Sequence, residues 1–158
     1  MPTLHERVET SLPIEQTFAF IGDFANSMVW DPGTVASERI GDGPLEVGAR
    51  YRLAVRMGPR TAPMEYRIVE LDVPRRVVLF GSGSGVEARD DIRFEATPSG
   101  GTIVDYKADL KLVGFLRLLQ PFAGKAFSEI GRKAAAGMRE ALAELESEHA
   151  GQRAQTDR

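Results

Sequence analysis

The sequence predicts an α+β chain: a curved antiparallel sheet of seven strands, two short helices after the first strand, and a long C-terminal helix across the concave face. Its hydrophobic period predicts this first. Apolar residues recur at helical spacing from Ile14 to Ile21, alternate from Val35 to Leu112, and return to a helical stripe from Gly114 to Glu146. Turn chemistry cuts the alternating stretch at Gly58-Pro59, Asp72-Val73-Pro74, Gly81 to Gly85 and Pro98 to Gly101. The closing stripe needs an apolar partner, and the inner face of the strands is the one the chain offers.

The elements follow in order. Leu4, Val8 and Leu12 sit at even positions among polar residues, which predicts a strand from Thr3 to Ser11. Pro13 stands at the first turn of a helix carrying Ile14, Phe18 and Ile21 on one face. A second short helix, Ala25 to Val29, stops at Trp30-Asp31-Pro32, because the residue before a proline avoids helical geometry. Then Tyr51, Leu53, Val55 and Met57 alternate with Arg50, Arg52 and Arg56, and Met64, Tyr66 and Ile68 with Glu65 and Arg67. Val77 to Phe80, Val86 to Ala96 and Thr102 to Leu112 supply the remaining strands. Gly81 to Gly85 reads as a flexible hairpin. It lacks the Lys-Ser/Thr of a phosphate loop and opens no helix.

In the last element Leu116, Ala123, Phe127, Ile130, Ala134, Met138, Ala141, Leu142 and Leu145 share a stripe opposite Lys125, Glu129, Arg132 and Lys133. Pro121 kinks or restarts this helix, which from there spans roughly 40 Å at 1.5 Å per residue. Residues 147–158 have no large apolar side chain and read as a mobile tail containing His149. The domain is expected to cover residues 1–146.

Composition removes several chemistries. The 158 residues hold 20 Lys+Arg against 23 Asp+Glu, a net charge of −3 that gives no cationic excess for nucleic acid. Without cysteine there is no disulfide, thiolate metal ligand or Cys nucleophile, and two histidines, His5 and His149, make a poor metal or triad set. No metal and no cofactor is expected. The N-terminal stretch carries His5, Glu6, Arg7 and Glu9 where a secretory leader is apolar, and no run approaches the ~18 residues of a membrane span, so the expected location is cytoplasmic.

Asp90 is the most informative residue. Val86, Ala88, Asp90, Ile92 and Phe94 share one phase of their strand, and Glu87, Arg89, Asp91, Arg93 and Glu95 the other, so Asp90 points inward with the apolar residues. A buried carboxyl then holds its proton or a ligand; a bulge near Gly85 would instead return it to water. Glu6, in phase with Leu4 and Val8, poses the same alternative. Tyr51, Tyr66 and Tyr106 also lie on inward phases, where a phenol either orients a ligand carbonyl or packs its ring and sends its hydroxyl outward. Gly124, Gly131 and Gly137 interrupt the long helix at ~1 kcal/mol each. Gly131 and Ala134 on the inward side either enlarge a cavity or allow close packing. Trp30 reads as core, and Met57 and Met64 as adaptable filler beside a turn.

Several landmarks resemble one family in their order: Pro13-Ile14-Glu15 before Phe18 and Phe20, Asp23, Trp30-Asp31-Pro32, Gly48, Tyr66-Arg67-Ile68-Val69-Glu70, Pro74-Arg75-Arg76-Val77-Val78-Leu79, and Gly100-Gly101-Thr102. Together they resemble the polyketide cyclase/dehydrase (SRPBCC) branch of the START superfamily, from about Leu4 to Glu146. The resemblance implies the helix-grip fold and a cavity between sheet and helix. Its members include lipid and sterol carriers and cyclases. The leading expectation is therefore binding of a small hydrophobic ligand by Tyr51, Val55, Met64, Tyr66, Tyr106, Phe127, Ile130, Gly131 and Ala134. A cyclase or dehydratase using Asp90 as proton carrier and Tyr106 as oxyanion donor is the alternative. A protein-interaction module with a filled interior is the third. No nucleic acid or integral membrane partner is expected, and a homodimer is left open.

Overall fold

A computed structural model describes residues 3–157. Strand β1 (Thr3–Thr10) leads to α1 (Ile14–Ile21), a 3-10 turn (Phe24–Asn26) and α2 (Ser27–Trp30). Strands β2 (Thr34–Ile40), β3 (Arg50–Met57), β4 (Arg60–Asp72), β5 (Arg76–Gly83), β6 (Val86–Ala96) and β7 (Thr102–Leu112) form the meander. A 3-10 segment (Gly114–Phe122) precedes α3 (Gly124–Thr156).

The seven strands make one antiparallel sheet in the order β1-β7-β6-β5-β4-β3-β2, with β1 returning to pair β7 from Thr3↔Asp109 to Thr10↔Thr102. Register breaks between Thr34 and Ala36 and between Ile68 and Glu70 insert bulges, which bend and twist strands locally. The inner face buries Tyr51, Leu53, Met64, Ile68, Leu79, Ile92 and Val104. The outer face carries ion pairs, Arg50–Glu65 (3.0 Å), Arg52–Glu38 (2.7 Å) and a two-point Arg76–Asp91 contact (3.0 and 2.9 Å), while Arg56 donates to the Pro32 carbonyl (3.3 Å) and Arg67 lies over the Phe80 ring. The Arg76 guanidinium holds the Asp91 carboxyl below the usual carboxylate range.

The hairpin expected over Gly81 to Gly85 is present and tight: β5 runs to Gly83, β6 begins at Val86, and Ser84 (φ 55°) and Gly85 (φ 79°) make the two-residue turn. Positive φ at both residues is the geometry whose twist matches the flanking strands. Gly81 lies within β5 because the Tyr66 ring rests where its side chain would be. In the segment expected as a mobile tail, residues 147–156 are helical, as α3 continues to Thr156. Apart from Gly151, the segment from Ser147 to Gln155 offers no strong helix breaker, and its alanines, Glu148, Gln152 and Arg153 favour the helix without burial. Arg158 lies outside the described residues. At Pro121 the chain restarts, since the 3-10 segment ends at Phe122 and α3 opens at Gly124.

Helix α3 packs along β1 and against α2. Its second half buries Ala135, Met138, Ala141 and Leu142. Glu146 accepts from Thr10 Oγ1 (2.6 Å) and the Ser11 amide (2.8 Å), and Arg139 donates to the Arg7 carbonyl (3.0 Å). Gly137 has a steric reason: a Cβ there would run into the Trp30 carbonyl oxygen. No helix among the described residues is long and apolar enough to cross a membrane.

Candidate functional site

The first half of α3 stands away from the central strands, leaving a cavity of about 710 Å³ between them. Its sheet wall includes Val55 and Met57 of β3, Met64 and Tyr66 of β4, Val86 and Asp90 of β6, and Tyr106 and Leu110 of β7. Phe127, Ile130, Gly131 and Ala134 form the helix wall, and Trp30 to Gly33 one end. Arg56, Gly58, Ala126, Ile130 and Lys133 are both lining residues and solvent-exposed, so the mouth lies between the β3–β4 hairpin and this half of the helix.

Eight of the nine expected ligand contacts meet here: Val55, Met64, Tyr66, Tyr106, Phe127, Ile130, Gly131 and Ala134 all line the cavity. Tyr51 does not. It is fully buried in the core, its ring 6.4 Å from that of Phe24, and burial together with the neighbouring Asp23 pushes its phenol pKa up. The sheet alternation puts Tyr51 on the correct face, but it lies in the packed end of the core, where Phe24 from the 3-10 turn packs against both Tyr51 and Tyr66 (ring centroids 6.4 and 5.4 Å). Gly131 serves packing as well as volume, since a Cβ there would come within 3.2 Å of Leu4.

Asp90 points inward as its phase predicts, at 4% exposure, with no bulge between Val86 and Ala96. Burial pushes its carboxyl pKa up to about 7; the nearby Tyr106 hydroxyl opposes this, while Asp31 and Asp109 add to it. A carboxyl raised toward neutrality can give or take a proton. Tyr66 and Tyr106 have their phenol pKa values driven well up, by burial first and then by Asp90. Both remain neutral donors. Glu6 also lines the cavity, partly exposed.

Sequence reasoning misses Asp31 and half of Trp30. Asp31 reads as part of a helix stop, yet it lines the cavity, and burial raises its pKa against lowering bonds from the Gly33 amide (2.9 Å) and Thr34 Oγ1 (3.0 Å). The legible signal is Asp31 two and three residues before Gly33 and Thr34, the spacing of an Asx turn. Trp30 is core, as expected, but it also faces the cavity, edge-on to Tyr106 with ring centroids 6.1 Å apart. Its buried indole Nε1 has no hydrogen-bond partner among the described residues. The site therefore gathers Asp90, Asp31, two phenols and one unused indole donor in a mainly apolar hollow, with Glu6, Arg56, Glu129 and Lys133 also on its wall.

An open antiparallel sheet gripping a long C-terminal helix over an internal cavity defines the START-like, helix-grip class. Within it, the chain belongs to the family described as polyketide cyclase / dehydrase and lipid transport, whose sequence profile matches residues 1–149. A START superfamily protein from Mycobacterium smegmatis is similar in structure at TM-score 0.76 and 12% identity, over 90% of this chain and 98% of that one. A Thermus thermophilus protein aligns at TM-score 0.74 and 16% identity, over 91% and 99%. The Zhui aromatase/cyclase from Streptomyces sp. R1128 aligns at TM-score 0.71 and 13% identity, over 89% and 90%. At such identities the likeness concerns the fold alone. No match is found among curated protein sequences.

Proposed function

We propose that the protein binds a small, largely apolar molecule between the sheet and the first half of α3. The carrying observation is the cavity of about 710 Å³, within the size range of small-molecule sites and lined mainly by apolar and aromatic side chains. Burial of ligand surface would contribute about 25 cal/mol per Å² before ordering costs. Asp90, Tyr66, Tyr106 and the free Trp30 Nε1 would then orient one oxygen-bearing end of the ligand, since all four donate hydrogen bonds while Asp90 is protonated. A filled interior, which the interaction-module reading requires, does not fit this hollow.

Native mass spectrometry of gently purified protein tests the proposal. A retained apolar molecule is expected, and Ala134→Phe, which fills the cavity, should release it. Retention undiminished by Ala134→Phe would place the ligand elsewhere and sink the reading.

A second reading, cyclase-type chemistry, is favoured by one observation: the buried Asp90 carboxyl faces the cavity beside Tyr66 and Tyr106, with its pKa pushed up to about 7. As carboxylate it would take a proton from a methylene between two carbonyls, and Tyr106 or Tyr66 would hold the enolate oxygen. The enolate carbon could then attack a second carbonyl of the folded chain. With a synthetic poly-β-ketone as probe, Asp90→Asn should abolish turnover under this reading; a carrier would bind the probe within a few-fold of the parent and show no turnover in either form.

A further inference from the structure

The 3-10 segment between β7 and α3 is built inside out. Leu116 turns inward against Gly85, the Val113 amide donates to the Gly85 carbonyl (2.9 Å), and the Leu112 amide donates to Gln120 Oε1 (2.8 Å). These anchors fix the segment while Phe115, Leu118 and Phe122 stand out at 94%, 74% and 80% exposure, with Leu119 beside them. Four large apolar side chains within eight residues form a protrusion, and exposed clusters of this kind mark contact surfaces.

Charge says what kind of surface. From Leu110 to Ser128 the chain holds Lys111, Arg117 and Lys125 and no acid, although its net charge is −3. Antiparallel order brings the β3–β4 and β5–β6 turns to this same end of the sheet, adding Arg56 and Arg60. Of the nearest acids, Asp109 accepts from Thr3 Oγ1 (2.6 Å), Glu129 lies 3.9 Å from Lys133, and Glu87 stands opposite Lys111 across β6 and β7, so Arg117 and Lys125 are the main cations of the protrusion. The cavity mouth is adjacent, since Ala126 and Phe127 of its wall follow Phe122 closely, and Val86 of its wall pairs with Leu112.

We propose that this end of the molecule docks on an anionic lipid surface, inserting Phe115, Leu118, Leu119 and Phe122 among the acyl chains, with the surrounding cations over the headgroups. Protruding side chains on a short 3-10 turn offer no flat or grooved face for a protein partner, whereas a lipid interface accepts any apolar relief and rewards flanking cations. Docking there sets the mouth beside the bilayer, so an apolar ligand need not cross water. The lipid contact stands chiefly on Phe115, Arg117, Leu118, Leu119, Phe122 and Lys125, none of which lines the cavity, and does not depend on the ligand proposal.

Vesicle co-sedimentation tests it. The protein should sediment with vesicles of mixed phosphatidylglycerol and phosphatidylcholine but not with phosphatidylcholine alone. Phe115→Ser with Phe122→Ser should weaken this at least about tenfold, and Arg117→Gln with Lys125→Gln several-fold, as should high salt. All these positions are exposed, so circular dichroism and uptake of a neutral cavity dye should match the parent. Dye uptake that fails in the parent while vesicle binding holds would count against the ligand proposal alone. No sedimentation with the anionic vesicles, or sedimentation unchanged in the double serine variant, would overturn docking. So would a concentration-dependent dimer, or capture by an acidic carrier protein, that the serine variant abolishes in a chain that binds no vesicles.

Discussion

The two halves of α3 lie on one continuous helix and do opposite work. From Ala135 to Glu146 the helix is packed: Met138 and Leu142 are almost completely buried, Gly137 lets α2 approach, and Glu146 ties the helix to the end of β1. From Gly124 to Ala134 it bridges a hollow, with Phe127 half-covered and Ile130 exposed at the rim. The difference lies in what stands opposite. The stretch from Ala135 meets β1 and α2, whereas the stretch before it touches β1 where Gly131 lies on Leu4 and otherwise borders the cavity. A stripe of apolar residues thus describes a helix face without telling whether protein or empty space lies beneath it.

The contrast can be broken from the packed side first. Met138→Ala and Leu142→Ala should each cost about 2–5 kcal/mol in denaturant unfolding, as expected for core truncations that leave a void. Gly137→Ala should cost more than its gain in helix propensity, because the Trp30 carbonyl blocks the new methyl group. In the bridging half, Ile130→Ala should cost less than about 1 kcal/mol while lowering affinity for a neutral cavity dye. A loss at Ile130 equal to that at Met138 would mean that the hollow is filled.

Asp90 sharpens the comparison through pH. Its folded pKa of about 7 lies above the ordinary value of 3.8, so the folded chain retains a proton that the unfolded chain releases between those values. Its contribution to stability is full below about pH 4 and is lost as pH rises through 7. Asp90→Asn should therefore stabilise the protein by about 2–4 kcal/mol at pH 8 relative to its effect near pH 4, as thermal scans across that range would show. A pH-independent difference would mean that the carboxyl is solvated. The smallest effect is expected at Gly124, where a Cβ meets open space: Gly124→Ala should add up to about 1 kcal/mol and leave dye binding unchanged.

Much of the fold was legible because sheets punctuate themselves. The strands Val86–Ala96 and Thr102–Leu112 follow from alternation between turn residues, and the inward phase of Asp90 follows from the same period. What sequence could not show was depth. Tyr51 and Tyr66 are paired across β3 and β4 on the same face and both pack against Phe24, yet Tyr51 is enclosed by the core while Tyr66 borders the cavity. Asp31 was hidden differently, in a turn whose proline spoke of helix termination more loudly than its carboxyl spoke of burial. The helical end of α3 escapes a reading by periodicity because it lacks an apolar face, although intrinsic propensity can sustain a helix already nucleated upstream.

The pairing of β1 with β7 has a consequence for how the chain is made. Among the strands of the sheet β1 is synthesised first, but its neighbour among the described residues emerges about a hundred residues later, at Thr102–Leu112. Closure of that long loop must precede any reward from the pairing, so nascent chains that end before β7 should hold a loose N-terminus open to proteases, and the step that completes the sheet should be among the last.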